Sequence, residues 1–408
     1  MQEDLARGAK GHTVGTHRLV CPEETLRRIQ PKARSMGITR VANVSGLDVI
    51  GVPVVAVVRP NARSIAVAQG KGLDLVAAKV SGLMESIENY HAERVRRPLV
   101  LASLSEIRQR GPTIDVGALP RVAGSSFDPD ARLLWIDGHE VMSRAPTWIP
   151  FEIVHADYTL PLPTGCGAFL MSDSGIASGN HPLEATTHAV CELVERDAVT
   201  LWHFLGERER RATRVDLQTV DDDACRSVIE RFERAGVRAG VWDVTSDIGL
   251  PTFFCTILDA APSRWRPLPP ASGSGCHPAR EIALLRALTE AAQVRLTVIA
   301  GSRDDLSIAA YARGRDDRVA ADTLAAIDDP GRGRPFDATP TYACDTFAGD
   351  IARALKLLSG AGIAQVAVVD LAIAEIGIAV VRVVIPGLEG SHEAPGFLAG
   401  SRVRRRFG

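Results

Sequence analysis

Residues 178–197, SGNHPLEATTHAVCELVERD, decide how the rest of this chain is read. Taken as a helix from Pro182, a residue suited to a first helical turn, the stretch sets Glu184, His188, Glu192 and Glu195 at steps of four, four and three. Those steps form one stripe on one face. Leu183, Val190, Leu193 and Val194 make the opposite face, which packs inward. The carboxylate stripe is thereby left against something polar.

Two further segments repeat the pattern. GLDLVAAKVSGLMESIENYHAER (72–94) aligns Ser81, Glu85 and Glu88, with Val76, Val80, Leu83 and Ile87 as its apolar stripe. PAREIALLRALTEAAQVRL (278–296) aligns Arg286, Glu290 and Gln293. Like charges at helical spacing cost roughly 0.2–0.5 kcal/mol per pair in water and more when desolvated. Each segment alone could be a solvated amphipathic helix. The three together are rich in Ala, Val and Leu, the composition of helices packed on several sides. Six glutamates around a common cleft then suit a hard divalent cation, Mg²⁺ above all, shared with substrate phosphates.

At 408 residues and 46% hydrophobic composition, the chain can build a sizeable core as one large domain or two to three smaller ones. A formal net charge of −2 gives no reason to expect nucleic acid as a partner. The seven cysteines (21, 166, 191, 225, 255, 276, 344) are odd in number and never spaced C-x-x-C. No disulfide framework or zinc knuckle is indicated, and a reducing cytoplasm fits. The polar start MQEDLARGAKGH and the strand-length apolar runs, such as VIGVPVVAVV (49–58), give no signal peptide or membrane span.

Residues 1–20 read as a mobile arm and 23–36 as a short helix. Residues 37–60 form two β-rich runs joined through Gly46 and Asp48, and 64–74 a strand turning through Gly70-Lys71-Gly72 into the first acidic helix. The spacing of a Walker phosphate loop is absent, yet Lys71 at a helix N-terminus is placed to meet an anion. LLWIDGHEV (133–141) and TWIPFEIVH (147–155) read as a strand pair, 206–214 as a charged connection, and VDLQTV (215–220) as a strand. A helix at 221–235 and strands at VRAGVWDVT and TFFCTILDA follow, then a Pro/Gly/Ser loop over 261–276. The chain closes through GSRDD (301–305), a weak helix, a mobile loop at 328–341, a helix at 344–360, two strands and a solvated basic tail at 401–408. Alternation of strands and helices throughout implies an α/β (α+β) fold in one compact unit, spanning 21–400.

With these motifs in view, the chain resembles the YcaO family of ATP-dependent enzymes that modify peptide backbones. The resemblance rests on Ser81-x3-Glu85-x2-Glu88, Asn180-x3-Glu184-x3-His188-x3-Glu192-x2-Glu195-Arg196 and Arg286-x3-Glu290-x2-Gln293, in that order, and spans nearly the whole chain. It implies a single large domain of mixed sheets, with helices lining an ATP cleft. It further implies Mg²⁺ held by Glu85, Glu88, Glu192, Glu195 and Glu290, and nucleotide contacts from Ser81, Lys71, Asn180, Glu184, His188, Arg196 and Arg286. The resemblance assigns the catalytic role to Arg196, Arg286 and Glu195. His188 departs from the family pattern, which often has Gln there. The implied chemistry is attack of a nucleophile on a peptide amide carbon, with phosphorylation of the amide oxygen by ATP converting that oxygen into a leaving group.

HADYTLPLP and the central stretch most resemble the subgroup that works with a TfuA partner and forms backbone thioamides. The closing GSRVRRRFG lacks the PxPxP tail common in azoline-forming members. The implied partners are a ribosomally made peptide or protein and a TfuA-like protein, with a homodimer left open and neither nucleic acid nor membrane expected. Alternatives are an azoline-forming cyclodehydratase and a non-catalytic nucleotide-binding scaffold subunit. A di-iron reading of Glu88-x2-His91 fails for want of a second such pair, which makes His91 a helix-surface residue. Cys166 and Cys276, read as turn residues, are the candidates for a sulfur carrier. No cysteine is expected in a hydrogen-bonded Cys–His setting.

Overall fold

A glycine on a strand lets a helix lie against the strand's own backbone, and such glycines position the three acidic helices. The computed structural model describes residues 8–407 apart from 126, 263–264, 266, 304–307, 314–315, 330, 332 and 343. Strands β1 (Arg40–Asn43), β2 (Val54–Val58) and β3 (Val67–Lys71) form an antiparallel sheet. From β3 the chain enters the first acidic helix, Leu75–Ala92, capped by the Asp74 carboxylate, which accepts from Ala77 N at 2.8 Å.

Strands β4 (Leu99–Ala102), β5 (Leu133–Glu140), β6 (Pro146–Pro150) and β7 (Ile176–Gly179) come next. β7 feeds the central helix, Pro182–His203, which starts at Pro182 with His181 Nδ1 accepting from Leu183 N at 3.2 Å. Strands β8 (Val237–Asp243), β9 (Thr252–Asp259) and β10 (Ala271–Cys276) make another antiparallel sheet, and β10 leads into the third helix, Arg280–Ala300. β11 (Ala367–Asp370) and β12 (Ala379–Val384) complete the middle sheet in the order β4-β5-β11-β12-β7, with β6 paired to β5. Among the described residues, every pairing between these twelve strands is antiparallel, so the α+β form of the expected class is the one observed.

Each acidic helix therefore follows a strand and folds back onto it. A Cβ on Gly70 would lie 2.1 Å from Ala78 O, one on Gly275 2.1 Å from Ala283 O, and one on Gly179 2.8 Å from Ala185 N. All three helices are also packed from behind. Leu83 and Ile87 join a core with Val55, Val57 and Trp135; Ala189, Val190 and Val194 pack with Val381 and Val383; Leu284 and Leu288 pack with Phe253 and Ile257. The central helix is buried on nearly every side, Glu184 and Asp197 included, so Leu183 and Leu193 are no better shielded than its polar stripe.

Several expectations give way. The loop read over 261–276 ends in β10, because its Gly and Ser residues serve helix contact rather than turning. VDLQTV forms a 3₁₀ turn at Leu217–Thr219, where the Asp216 side chain takes Gln218 N at 3.0 Å in competition with strand pairing. The 206–214 connection contains a helix, Glu207–Ala212. Within the supposedly mobile 328–341, Arg334 pairs with Val215 and Phe336 is 1% exposed; residues 330 and 332 lie outside the described residues, as do 304 and 305 of GSRDD.

The basic tail is a helix, Ser401–Phe407, whose Arg402 is buried against Asp197 at 2.9 Å. Residues 8–20 lie along the body of the protein: the Lys10 ammonium meets Asp350 at 2.7 Å, and Leu19 N donates to Glu184 at 2.8 Å. No helix among the described residues is long and apolar enough to cross a membrane.

The glycine contacts can be checked. Gly275→Ala is expected to lower unfolding stability by about 1–3 kcal/mol through overpacking. Gly46→Ala, exposed with nothing within 4 Å of the added carbon, should stay within about 0.5 kcal/mol of the parent in urea titration. Equal stability of the two variants would remove the close-approach argument.

Candidate functional site

The helices bring their carboxylates together by a crossed arrangement. Glu88, on the first helix, accepts from Ser178 N at 2.8 Å and Ser178 Oγ at 2.7 Å, both on β7 of the second strand–helix unit. Glu195, on the central helix, accepts from Ser274 Oγ at 2.7 Å and Cys276 N at 3.0 Å, both on β10 of the third unit. Glu290, on the third helix, pairs with Lys71 at 2.8 Å, on β3 of the first unit. Each helix is thus latched to the next unit's strand, and the last returns to the first.

Between these latches the charges crowd. Burial pushes the Glu85 carboxyl up to about 7, against the opposing fields of Arg303 and Lys71. Burial takes Glu88 to about 8, with its Ser178 hydrogen bonds opposing and Glu85 and Glu192 adding. Glu192, which accepts from Gly175 N at 3.1 Å, is pushed up to about 7 by burial despite Arg196. For Arg196, burial is outweighed by Glu195, Glu192 and Glu290, which hold the guanidinium firmly protonated. For Glu290, burial is outweighed by Lys71 and Arg196, and its carboxyl falls below the usual range.

A basic end adjoins this acidic one. Arg286 Nη2 donates to His188 Nδ1 at 2.8 Å, so the imidazole is a neutral acceptor; burial and the Arg286 and Arg18 charges push its pKa well below the ordinary value. Glu184 faces the N-terminal segment, with Arg18 at 3.8 Å. Asn180 Nδ2 donates to Thr25 Oγ1 at 3.0 Å and so is turned towards the Pro22–Ile29 helix. Ser81 and Gln293 are half-buried, each one turn from its helix's glutamates.

Glu85, Glu88, Glu192 and Glu195 offer only oxygen, and three of them hold raised pKa values that a divalent cation would relieve. The set therefore fits a hard ion. It does not close into an all-protein cage: among the described residues the tight group of potential metal ligands is His17, His277 and Asp350, which includes none of these glutamates. Magnesium characteristically takes one or two carboxylates and completes its shell with water and phosphate. The His17–His277–Asp350 group is itself filled by a cation, because Lys10 sits on Asp350, and His277 Nδ1 already accepts from Ala279 N at 2.9 Å.

Other residues enter that the helical stripes do not announce. Ser178 and Ser274 are latch donors, and the repeated small-residue strands IASG and ASGSGC are the signal that could have found them. Asp173, Arg18 and Arg382 carry no such pattern. His91 is buried, with Nδ1 donating to Ile87 O at 2.7 Å, rather than on the helix surface. Contrary to expectation, one cysteine does meet a histidine: Cys166 Sγ lies 3.9 Å from His155 Nε2. His155 Nδ1 accepts from Asp157 N, so Nε2 carries the proton, and burial with Glu152 pushes the thiol up to about 12. Cys276 ends a strand and is fully buried, which removes it as an accessible sulfur carrier.

Comparison with known proteins accords with this geometry. The family model for the YcaO cyclodehydratase, ATP- and Mg²⁺-binding, matches residues 69–389. An uncharacterised protein in the tfuA 3′ region of Rhizobium leguminosarum bv. trifolii is 36% identical over 95% of this chain and 92% of its own. An uncharacterised protein of Methanothermobacter thermautotrophicus is 32% identical over 91% and 94%. The chain belongs to the YcaO family. Among solved structures, the YcaO from Methanopyrus kandleri bound with AMPPCP and Mg²⁺ has the same fold, with a TM-score of 0.74, 20% identity and coverage of 97% and 99%. A heterocyclase in complex with substrate and cofactor gives a TM-score of 0.77 at 22% identity; 98% of this chain spans 57% of that longer one.

The raised carboxyls set a pH dependence. A folded-state pKa above the unfolded 4.5 means the folded protein holds the extra protons, so stability is present at low pH and lost as pH rises through the folded values of about 7 to about 8. Buried neutral histidines act oppositely, but their unfolded value of 6.5 confines them to lower pH. Metal-free protein should therefore lose melting temperature between about pH 7 and about pH 8.5, and Glu88→Gln should flatten the slope. Thermal denaturation in EDTA that is level or rising over that interval would contradict the crowding.

Proposed function

We propose that this protein activates a peptide backbone amide by ATP- and Mg²⁺-dependent O-phosphorylation, for thioamide formation with a TfuA-like partner and a sulfide source. The observation that carries the reading is the latched ring: glutamates from three helices, with Arg196 held by Glu192 and Glu195 and Arg286 held by His188 at the adjoining basic end. The thioamide product is favoured by the relative in a tfuA 3′ region, which matches this chain nearly end to end.

In this reading Glu85, Glu88, Glu192, Glu195 and Glu290 would hold Mg²⁺, which when bound would supply positive charge to a transferring phosphoryl group. Arg196, pinned by Glu192 at 3.7 Å and Glu195 at 3.6 Å, faces the phosphates with little freedom to reorganise. Lys71, paired with Glu290 at 2.8 Å, would be the ammonium available to a phosphate oxygen. Arg286 and its acceptor His188 line the nucleotide side, together with Ser81, Asn180 and Glu184. Burial around these groups keeps water from competing for the activated amide.

Calorimetry with Mg·ATP checks the site. Glu85→Gln and Glu290→Gln are each expected to weaken binding at least ~10-fold, about 1.4 kcal/mol, with the fold retained by circular dichroism. Unchanged affinity in both would place the nucleotide elsewhere. Mass spectrometry of a cognate peptide after reaction with ATP, Mg²⁺, sulfide and partner separates the products. Sulfur for oxygen adds about 16 Da, whereas cyclodehydration removes about 18 Da from the amide that phosphorylation activates. Loss of water without gain of sulfur would favour the azoline product.

A further inference from the structure

Arg382, on β12, is 4% exposed, makes no ion pair among the described residues, and leaves its Nε without a hydrogen-bond partner. Among the described residues its side chain makes one hydrogen bond, from Nη1 to Ser172 O at 2.8 Å. A buried guanidinium with so little compensation is costly, and such a charge is ordinarily matched by an anion. Strand register places it: Val380 pairs with Ser178 and Arg382 with Ile176, so Arg382 stands on the same sheet face as the serine that holds Glu88, two residues along. The turn 172–175 ties the two together, since Ser172 O takes the Arg382 bond and Gly175 N donates to Glu192.

Asp173 in that turn, Tyr158 in the 157–162 loop and Glu192 each act on the Arg382 charge, yet burial still outweighs them. Burial keeps the Tyr158 phenol protonated and hence a donor. The loop continues into Leu160, 84% exposed, and Leu162, an apolar surface along which an extended peptide can lie. The nucleotide side of the cleft, at His188 and Arg286, involves none of these residues.

We propose that Arg382 and Tyr158 form an acceptor-side anion site, which stabilises the oxygen that leaves the amide and then holds the inorganic phosphate formed from it. The inference rests on the phosphorylation reading above. In the balanced sequence, hydrosulfide adds to the amide carbon and the C=O π pair moves onto oxygen, giving the oxyanion that Arg382 meets. That oxygen attacks the γ-phosphorus, and the phosphorus–oxygen bond to ADP breaks with its electron pair going to ADP. The C–O bond then breaks with its pair going to phosphate, the S–H proton passes to that phosphate, and C=S forms. Arg382 is thus matched with an anion from the first addition to product release.

Inorganic phosphate is the probe. With the full chain saturated in Mg·ADP, calorimetric titration should give saturable phosphate binding, weakened about tenfold in Arg382→Met and about threefold in Tyr158→Phe, with Mg·ADP affinity unchanged in both. Arg382→Lys should restore part of the loss. Should Arg382→Met fail to fold, Tyr158→Phe, a half-exposed site, decides alone. Phosphate affinity unaltered in folded variants, or no saturable phosphate binding to a parent protein that binds Mg·ADP, overturns the proposal. A parent that binds no Mg·ADP overturns the nucleotide reading itself, and this one with it.

Discussion

The crossed latching of three glutamates is the constraint on which the cleft depends. A carboxylate buried beside others of its kind is unfavourable unless donors or cations meet it. Here each latch is supplied by the strand of a different unit: Ser178 for Glu88, Ser274 and Cys276 for Glu195, Lys71 for Glu290. The arrangement uses hydrogen-bond donors for two of the three and a movable ammonium for the third. The protein's own groups thus satisfy the ring, and the Lys71–Glu290 pair is the latch made by a salt link.

The helices and their polar stripes were legible because a repeat of three and four residues states a face whatever surrounds it. Their start at Pro182 and the pairing of β5 with β6 were equally plain. What could not be read was the matter opposite each stripe. Ser274 sits in ASGSGC, where glycine and serine signal a turn by composition but in place form a strand flat enough for helix backbone to rest on. Local patterns carry no information on a partner some eighty residues distant, and Glu195 with Ser274, like Glu88 with Ser178, is such a pair. Arg402 was misread for the same reason, since its neighbours Arg404–Arg406 spell a solvated tail while its partner Asp197 lies on the central helix.

Both chain ends bear on the central helix. At its N-terminal turn Glu184 receives the backbone of Leu19, and the segment leading there is moored by Lys10 on Asp350. Below Glu195 and Arg196, Asp197 receives Arg402, while Glu389 accepts from Gly400, Arg402 and Val403 backbone nitrogens. Buried charge pairs of this kind contribute little net stability against well-packed apolar groups, but removing one partner strands the other. Their value here is positional: they hold a helix at its first turn and at Asp197, on either side of Glu192, Glu195 and Arg196.

The crossed latches also impose an order on synthesis. A ribosome delivers this chain from residue 1 onward, so Glu88 precedes Ser178, and Glu195 precedes Ser274, by long stretches of translation. Lys71 waits longest, since Glu290 is made last of the ring, and the middle sheet gains β12 only after that. Throughout that interval the first two helices hold acidic faces without partners, and their packing surfaces lack their final neighbours. Non-local contacts of this span are slow to close and leave sticky intermediates. A truncated product ending before residue 290 would carry Glu88 and Glu195 with their strand donors, yet leave Lys71 without its carboxylate and the ring open.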